Sequence, residues 1–274
     1  MQNAGALHSL AAMRTLRRLA ILTTAFAALA VMPAAASAAK PTVVLVHGAF
    51  ADASGWYGVQ EQLEGKGYKV VSPANPLRGV SADAGYLKSF LGTIKGPIVL
   101  VGHSYGGVVI TNAATGNANV KALVYIAAYA PDQGDTVLSL STLGTDDLLG
   151  PAALDITPFP NPDGSVGQEG SIKLDVFRKI FAGDLSKKLA RNMALAQRPA
   201  SLVALGEPSG VPAWKTIPSY YMIAGADKTI GTDVEVAMAK RIHPKKTVTV
   251  KGASHVVMIS QPKKTADFIL SAAK

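Results

Sequence analysis

The 274-residue chain contains no cysteine. A disulfide framework, a lipid-modified cysteine and a thiolate metal site are therefore excluded. Internal repeats and heptads are also missing, which sets aside solenoids and coiled coils. Basic residues outnumber acidic ones by 27 to 18, yet they form only short pairs such as Lys187-Lys188, Lys245-Lys246 and Lys263-Lys264. Scattered charge of this kind describes a solvated surface, so no nucleic-acid partner is expected. The one long apolar run near the start falls short of the roughly 20 residues that span a bilayer, so no stable membrane anchor is expected either.

That run belongs to a segment with no acidic residue. Arg14, Arg17 and Arg18 precede the uncharged stretch Leu19 to Val31, and Ala36-Ser37-Ala38 follows with small-x-small spacing. Positive, apolar and small-residue regions in that order describe a cleaved export signal over 1–38. Met13 is an alternative start, and Leu16 and Ala20 fit a twin-arginine pattern poorly. The expected location is periplasmic or secreted. Removing the three arginines lowers the formal charge from +9 to +6. The remaining 236 residues suit one α/β domain, and a hydrophobic content of 49% is enough for a large core.

Six β-rich apolar runs stand out: Val43–Val46, Tyr68–Val71, Ile98–Val101, Ala122–Ile126, Tyr220–Ile223 and Val248–Val250. Between most of them lie helical periods. Trp56, Val59 and Leu63 repeat at three- and four-residue spacing, as do Tyr86, Leu87, Phe90, Leu91 and Ile94. Thr232-Asp233-Val234-Glu235 reads as a capping box opening a helix toward Lys240. Pro262 suits the first turn of a helix through Ala272. Short, continuous apolar strands alternating with helices predict a mostly parallel sheet of about six strands, covered on both faces. Between Pro131 and Trp214 the alternation stops. Gly, Pro and Asp dominate to about Gly170, with a hairpin turn expected at Asp163-Gly164, and helical patterns follow at Ile172–Phe181 and Leu185–Gln197. Some 80 residues without a strand of the sheet, carrying apolar positions such as Phe177, Phe181 and Leu189, predict a cap. The expected organisation is core over 39–131 and 216–274, with the cap inserted over 132–215.

The run Gly102-His103-Ser104-Tyr105-Gly106 directly follows a strand and opens a small-residue helix pattern over Val108 to Ala114. G-x-S-x-G in that setting describes a nucleophile elbow, in which a sharp strand-to-helix turn exposes the serine Oγ beside free helix N–H groups. Such a hydroxyl needs a base. His103 lies inside the turn, His47 ends a strand and His243 sits beside Pro244 at a helix end. That leaves His255, in Gly252-Ala253-Ser254-His255 after the last strand, at the carboxyl edge of the sheet. Asp227, after the fifth strand, is the natural acid to hold its Nδ1–H, with Asp132 after the fourth strand as the rival; Asp233 fits a helix N-terminus. Oxyanion donors are expected from the Tyr105 N–H and from Ala49, or else Phe50, beyond the tight turn at Gly48.

With these pieces assembled, the chain resembles the α/β-hydrolase superfamily, in particular the branch of plant methyl esterases, hydroxynitrile lyases and many bacterial hydrolases. The likeness is carried by Val43-Val-Leu-Val-His-Gly-Ala49, Gly102-His-Ser-Tyr-Gly-Gly107, Ala127-Ala-Tyr-Ala-Pro-Asp132, Ala226-Asp-Lys-Thr-Ile230 and Gly252-Ala-Ser-His255. It implies the three-layer fold of that superfamily, a Ser104–His255–Asp227 triad and an oxyanion hole from Ala49 and Tyr105. It implies no cofactor and no metal. Hydroxynitrile lyases of the branch carry a threonine after the first-strand histidine and a lysine after the catalytic histidine; here Gly48 and Val256 stand there. The expected activity is acyl-enzyme hydrolysis of small to medium carboxylic esters. Lactone, thioester and acyl-transfer chemistry share the constellation, and a ligand receptor that keeps the triad without turnover is the alternative from another class.

Overall fold

The computed structural model describes residues 39–273; the expected signal segment lies outside them. The chain opens on β1 (Thr42–Val46), whose five residues are all buried, as a strand covered on both faces requires. A helical turn N-capped by Asp52 leads into α1 (Tyr57–Glu64). Then come β2 (Val70–Val71), α2 (Val80–Gly92), β3 (Ile98–Ser104), α3 (Tyr105–Ala113) and β4 (Val120–Ala128). After a long insertion the pattern resumes with β8 (Ser219–Ala224), α8 (Thr232–Ile242), β9 (Lys246–Val250), α9 (Val257–Ser260) and α10 (Pro262–Ser271). The six strands form one sheet in the order β2-β1-β3-β4-β8-β9, and every pairing is parallel.

That order places a topological switch between β1 and β3. From β1 the chain moves outward to β2, then returns to the other side for β3. The loops leaving the carboxyl ends of β1 and β3 therefore diverge to opposite faces of the sheet and open a crevice, the usual ligand position in open parallel sheets.

Two helix starts outside the insertion depart from the sequence expectation. Thr232 and Glu235 do not form a capping box: the N-cap of α8 is Gly231 without a side-chain bond. Thr232 Oγ1 instead donates to the Ala224 carbonyl at 2.8 Å, and Glu235 turns into the core. The second is α2, which begins six residues before the predicted period. Its first N–H groups are capped from a distance by Glu207, whose carboxylate accepts from Val80 at 2.6 Å and Ser81 at 3.1 Å.

The insertion between β4 and β8 holds α4 (Val137–Ser141), β5 (Leu154–Pro160), β6 (Val166–Ile172), α5 (Phe177–Phe181), α6 (Lys187–Ala196), β7 (Ala200–Ser201) and α7 (Val203–Gly206). Three of these make a separate antiparallel sheet, β5-β6-β7, where the sequence suggested a hairpin turn followed by helices. The turn falls in the β5–β6 loop with Gly164 at φ +85°. Ile172 closes β6 instead of opening a helix, so α5 starts only at Phe177. Phe177 and Phe181 are buried in the main core, whereas Leu189 is 41% exposed. Asp184 accepts a short hydrogen bond from Ser254, and the Ile180 carbonyl accepts from Thr229 Oγ1 at 2.9 Å. The insertion is thus bonded directly to the loops after β8 and β9.

Candidate active site

Ser104 ends β3 at a positive φ of +56° with ψ −127°, a strained backbone that costs a non-glycine residue roughly 1–3 kcal/mol. Two glycines make room for this turn. A Cβ on Gly48 would stand 2.5 Å from the Ser104 Cβ, and one on Gly106 would stand 2.6 Å from the Val46 carbonyl. The backbone therefore runs in close contact at the carboxyl ends of β1 and β3, before the loops part, with Ala49 and Phe50 just beyond Gly48. Tyr105 occupies the first position of α3, where N–H groups lack intrahelical partners. Its side chain is pinned: the phenol donates to Asp83 Oδ2 at 2.9 Å, and Asp83 also accepts the Arg78 N–H at 3.0 Å.

The loops after β8 and β9 bring Asp227 and His255 together. The Ala226 N–H donates to the Ala253 carbonyl at 2.9 Å, aligning the two loops. His255 Nδ1 donates to Asp227 Oδ2 at 2.6 Å, with both side chains fully buried. Asp227 Oδ1 accepts the backbone N–H groups of Thr229 at 2.6 Å and Ile230 at 3.1 Å. Burial pushes the Asp227 carboxyl up, but the His255 ring, its hydrogen bond and those from Glu235 and Thr229 outweigh it and hold the acid below the usual carboxylate range. With Nδ1 committed to Asp227, His255 Nε2 carries the lone pair; it is buried and has no hydrogen-bond partner among the described residues. Asp132 lies apart, paired with Lys215 at 2.5 Å.

The other histidines brace the backbone. His47 Nε2 accepts the Asn75 N–H at 3.0 Å, so its Nδ1 donates to the Gly48 carbonyl at 2.9 Å. His103 packs its ring 4.6 Å from that of His255 and donates from Nε2 to the His255 carbonyl at 3.0 Å. Burial lowers both pKa values, that of His103 furthest, keeping the rings neutral. His243 is exposed at the end of α8, and Asp233 bonds the N–H groups of Val234 and Thr145 at that helix's start. Asn75 and Asp83 carry no motif, and the capping-box pattern around Glu235 points elsewhere, since each reaches the site only through the tertiary fold.

Beneath the insertion lies a cavity of about 330 Å³ with Phe50, Tyr129, Val137, Leu154 and Leu205 in its wall and no charged side chain. Phe50, at φ +58°, also borders a smaller cavity of about 130 Å³ with Met193, Val256 and Met258. A more open, polar depression near Asp184 and Lys251 reaches about 480 Å³; none of the three is lined by Ser104, Asp227 or His255, but the first two include Phe50, and the first Thr229 and the second Val256, their near neighbours in sequence. Among the described residues no cluster of His, Asp and Glu has the arrangement of a metal site, and no helix is long and apolar enough to cross a membrane.

A six-stranded parallel sheet with a strained serine after its third strand and a buried acid–imidazole pair at the same edge is the architecture of a hydrolase class. Residues 43–268 match the alpha/beta hydrolase family, and the chain belongs to that family. Among curated proteins it is similar to an alpha-hydroxynitrile lyase of Arabidopsis thaliana, at 26% identity over 83% of this chain and 95% of that protein. It is also similar to a pyrethroid hydrolase of Sphingobium wenxiniae, at 27% identity over 83% of this chain and 85% of that one. The solved structure of polyneuridine aldehyde esterase superposes with a TM-score of 0.74, covering 86% of this chain and all of that chain, at 20% identity. At that identity the likeness concerns the fold.

Proposed function

We propose that the protein is a cofactor-free serine hydrolase of carboxylic esters with apolar, uncharged substituents. The observation that carries this reading is the buried 2.6 Å pair of Asp227 and His255, whose free Nε2 lies at the edge that bears Ser104. Ser104 Oγ attacks the ester carbonyl while His255 Nε2 takes its proton. Asp227 holds the imidazole in the required tautomer and stabilises the imidazolium. The N–H groups of Ala49 and Tyr105 bind the oxyanion, with Phe50 as the second candidate after Gly48. The proton passes to the leaving alcohol, and water activated by His255 then releases the acid. The insertion sets the substrate range: the 330 Å³ cavity that it lines has an apolar, uncharged wall and borders Phe50 and Thr229, which suits an apolar substituent of the ester.

Similarity to a hydroxynitrile lyase raises cyanohydrin cleavage as a second reading. Neither cavity wall contains a lysine or arginine, and Val256 after His255 is fully buried, so a departing cyanide would meet no cation. Ester hydrolysis needs none at that point. Ser104→Ala is expected to lower kcat/KM on ester substrates by at least ~10⁴-fold with unchanged melting, and to abolish labelling by a fluorophosphonate. Undiminished turnover would overturn the assignment. Tight binding of an apolar ester without turnover by the unaltered protein would favour a receptor. The first 38 residues are proposed to direct export, checked by the N-terminal sequence of protein recovered outside the cytoplasm.

A further inference from the structure

Glu235 is a buried acid with no task in that mechanism. It lies in the first turn of α8 and is fully buried. Its Oε2 accepts the Ala224 N–H at 3.0 Å, while Oε1 finds no donor. Asp227 and Glu235 are both fully buried and both bond to Ala224, whose carbonyl accepts the Asp227 N–H at 3.3 Å and whose N–H goes to Glu235 Oε2, so the two carboxyls share one dry site and act on each other. Two carboxyl groups so placed do not both ionise, so one proton resides on the pair. The donors around them decide where. Asp227 receives three N–H groups, from His255, Thr229 and Ile230, whereas Glu235 receives one. A proton on Glu235 also turns the unsatisfied Oε1 into a donor with an acceptor beside it.

We propose that Glu235 is a positioning residue: as a neutral carboxylic acid it donates a hydrogen bond to Asp227 and fixes the carboxylate that orients His255. This rests on the reading of Asp227 as the triad acid. The other titratable groups around Glu235 leave the bond free. Tyr221 on β8 donates to the Ala128 carbonyl and Tyr129 shares a hydrogen bond with Ser141, and burial keeps both phenols neutral. Burial first, then the Asp227 charge, raises the Glu235 pKa well above the usual range. Without this donor Asp227 bears more strongly on His255, the imidazolium is favoured, and the base stays protonated to higher pH.

The test begins with the unaltered protein. Infrared spectra at neutral pH, recorded with and without ¹³C-glutamate, should show a protonated carboxyl band that moves with the label and is missing from Glu235→Gln. In kinetics, Glu235→Leu should lower kcat about tenfold or more at nearly constant KM and shift the acid limb of kcat/KM to higher pH. Glu235→Gln, whose amide still donates, should restore most of the lost kcat and the position of that limb. Three results would overturn the proposal. One is the lack of a labelled protonated band. Another is an acid limb that moves about one unit or more to lower pH in Glu235→Gln, the mark of a lost negative charge. The last is a Leu variant that only melts earlier. Failure of the triad reading looks different: Asp227→Asn would stay active while the infrared band persisted.

Discussion

The main sheet and the insertion bury their residues in opposite ways. Every residue of β1 and β3 is buried, whereas most of β5 faces solvent. A strand enclosed on both faces can hold reacting groups at fixed positions; a sheet open to solvent can vary its side chains at little cost in stability. The division of labour is not clean, however. Phe181 of the insertion packs its ring 4.9 Å from that of His255, and Asp184 and Ile180 bond the loops that carry Asp227 and His255. The outer layer also helps hold the loops after β8 and β9.

Breaking the comparison starts with that packing. Phe181→Ala removes a fully buried ring from the main core, not from a detachable cover, and should cost ~3–5 kcal/mol of stability in urea unfolding. A loss below ~1 kcal/mol would mean that the insertion rests lightly on the core. Next is a pH effect belonging to the sheet side alone. Glu235 has a raised pKa in the folded state, so its contribution is complete below the unfolded value of about 4.3 and fades as pH rises toward the folded value. The stability of Glu235→Gln relative to the unaltered protein should therefore increase with pH above about 4.3, by up to roughly 1.4 kcal/mol per unit. A difference that stays level from pH 5 to 7 would contradict this. The smallest effect concerns the helix cap supplied by the insertion. Glu207→Ala should destabilise by about 1 kcal/mol, as loss of an N-cap does, with the change read as a shift in urea midpoint.

What the sequence revealed follows the same division. The four inner strands of the main sheet, β1, β3, β4 and β8, were legible because burial on both faces leaves unbroken runs such as Val43–Val46; the edge strands β2 and β9 are less buried and show as the β-branched runs Val70-Val71 and Val248-Thr249-Val250. The pairing of Asp227 with His255 was legible because each follows a strand at the carboxyl edge of the sheet among small residues, and the turn at Ser104 because glycines flank it where β3 meets α3. The sheet of the insertion was not, since its exposed strands are rich in Gly, Pro and charge and lack alternation. The start of α2 was hidden because its capping oxygen lies 127 residues away in the chain. Glu235 was read as a local cap because spacing reports neighbours along a helix, not which side chains turn inward.

The reach of Glu207 bears on how this scaffold could be re-engineered. Its carboxylate holds the first turn of α2, α2 carries Asp83, and Asp83 holds the phenol of Tyr105 beside Ser104. Anyone transplanting a new lid onto this body to change its diet would cut the first strand of that harness. A graft that brings no acid of its own to the same place leaves the first turn of α2 uncapped, at a cost of about 1 kcal/mol.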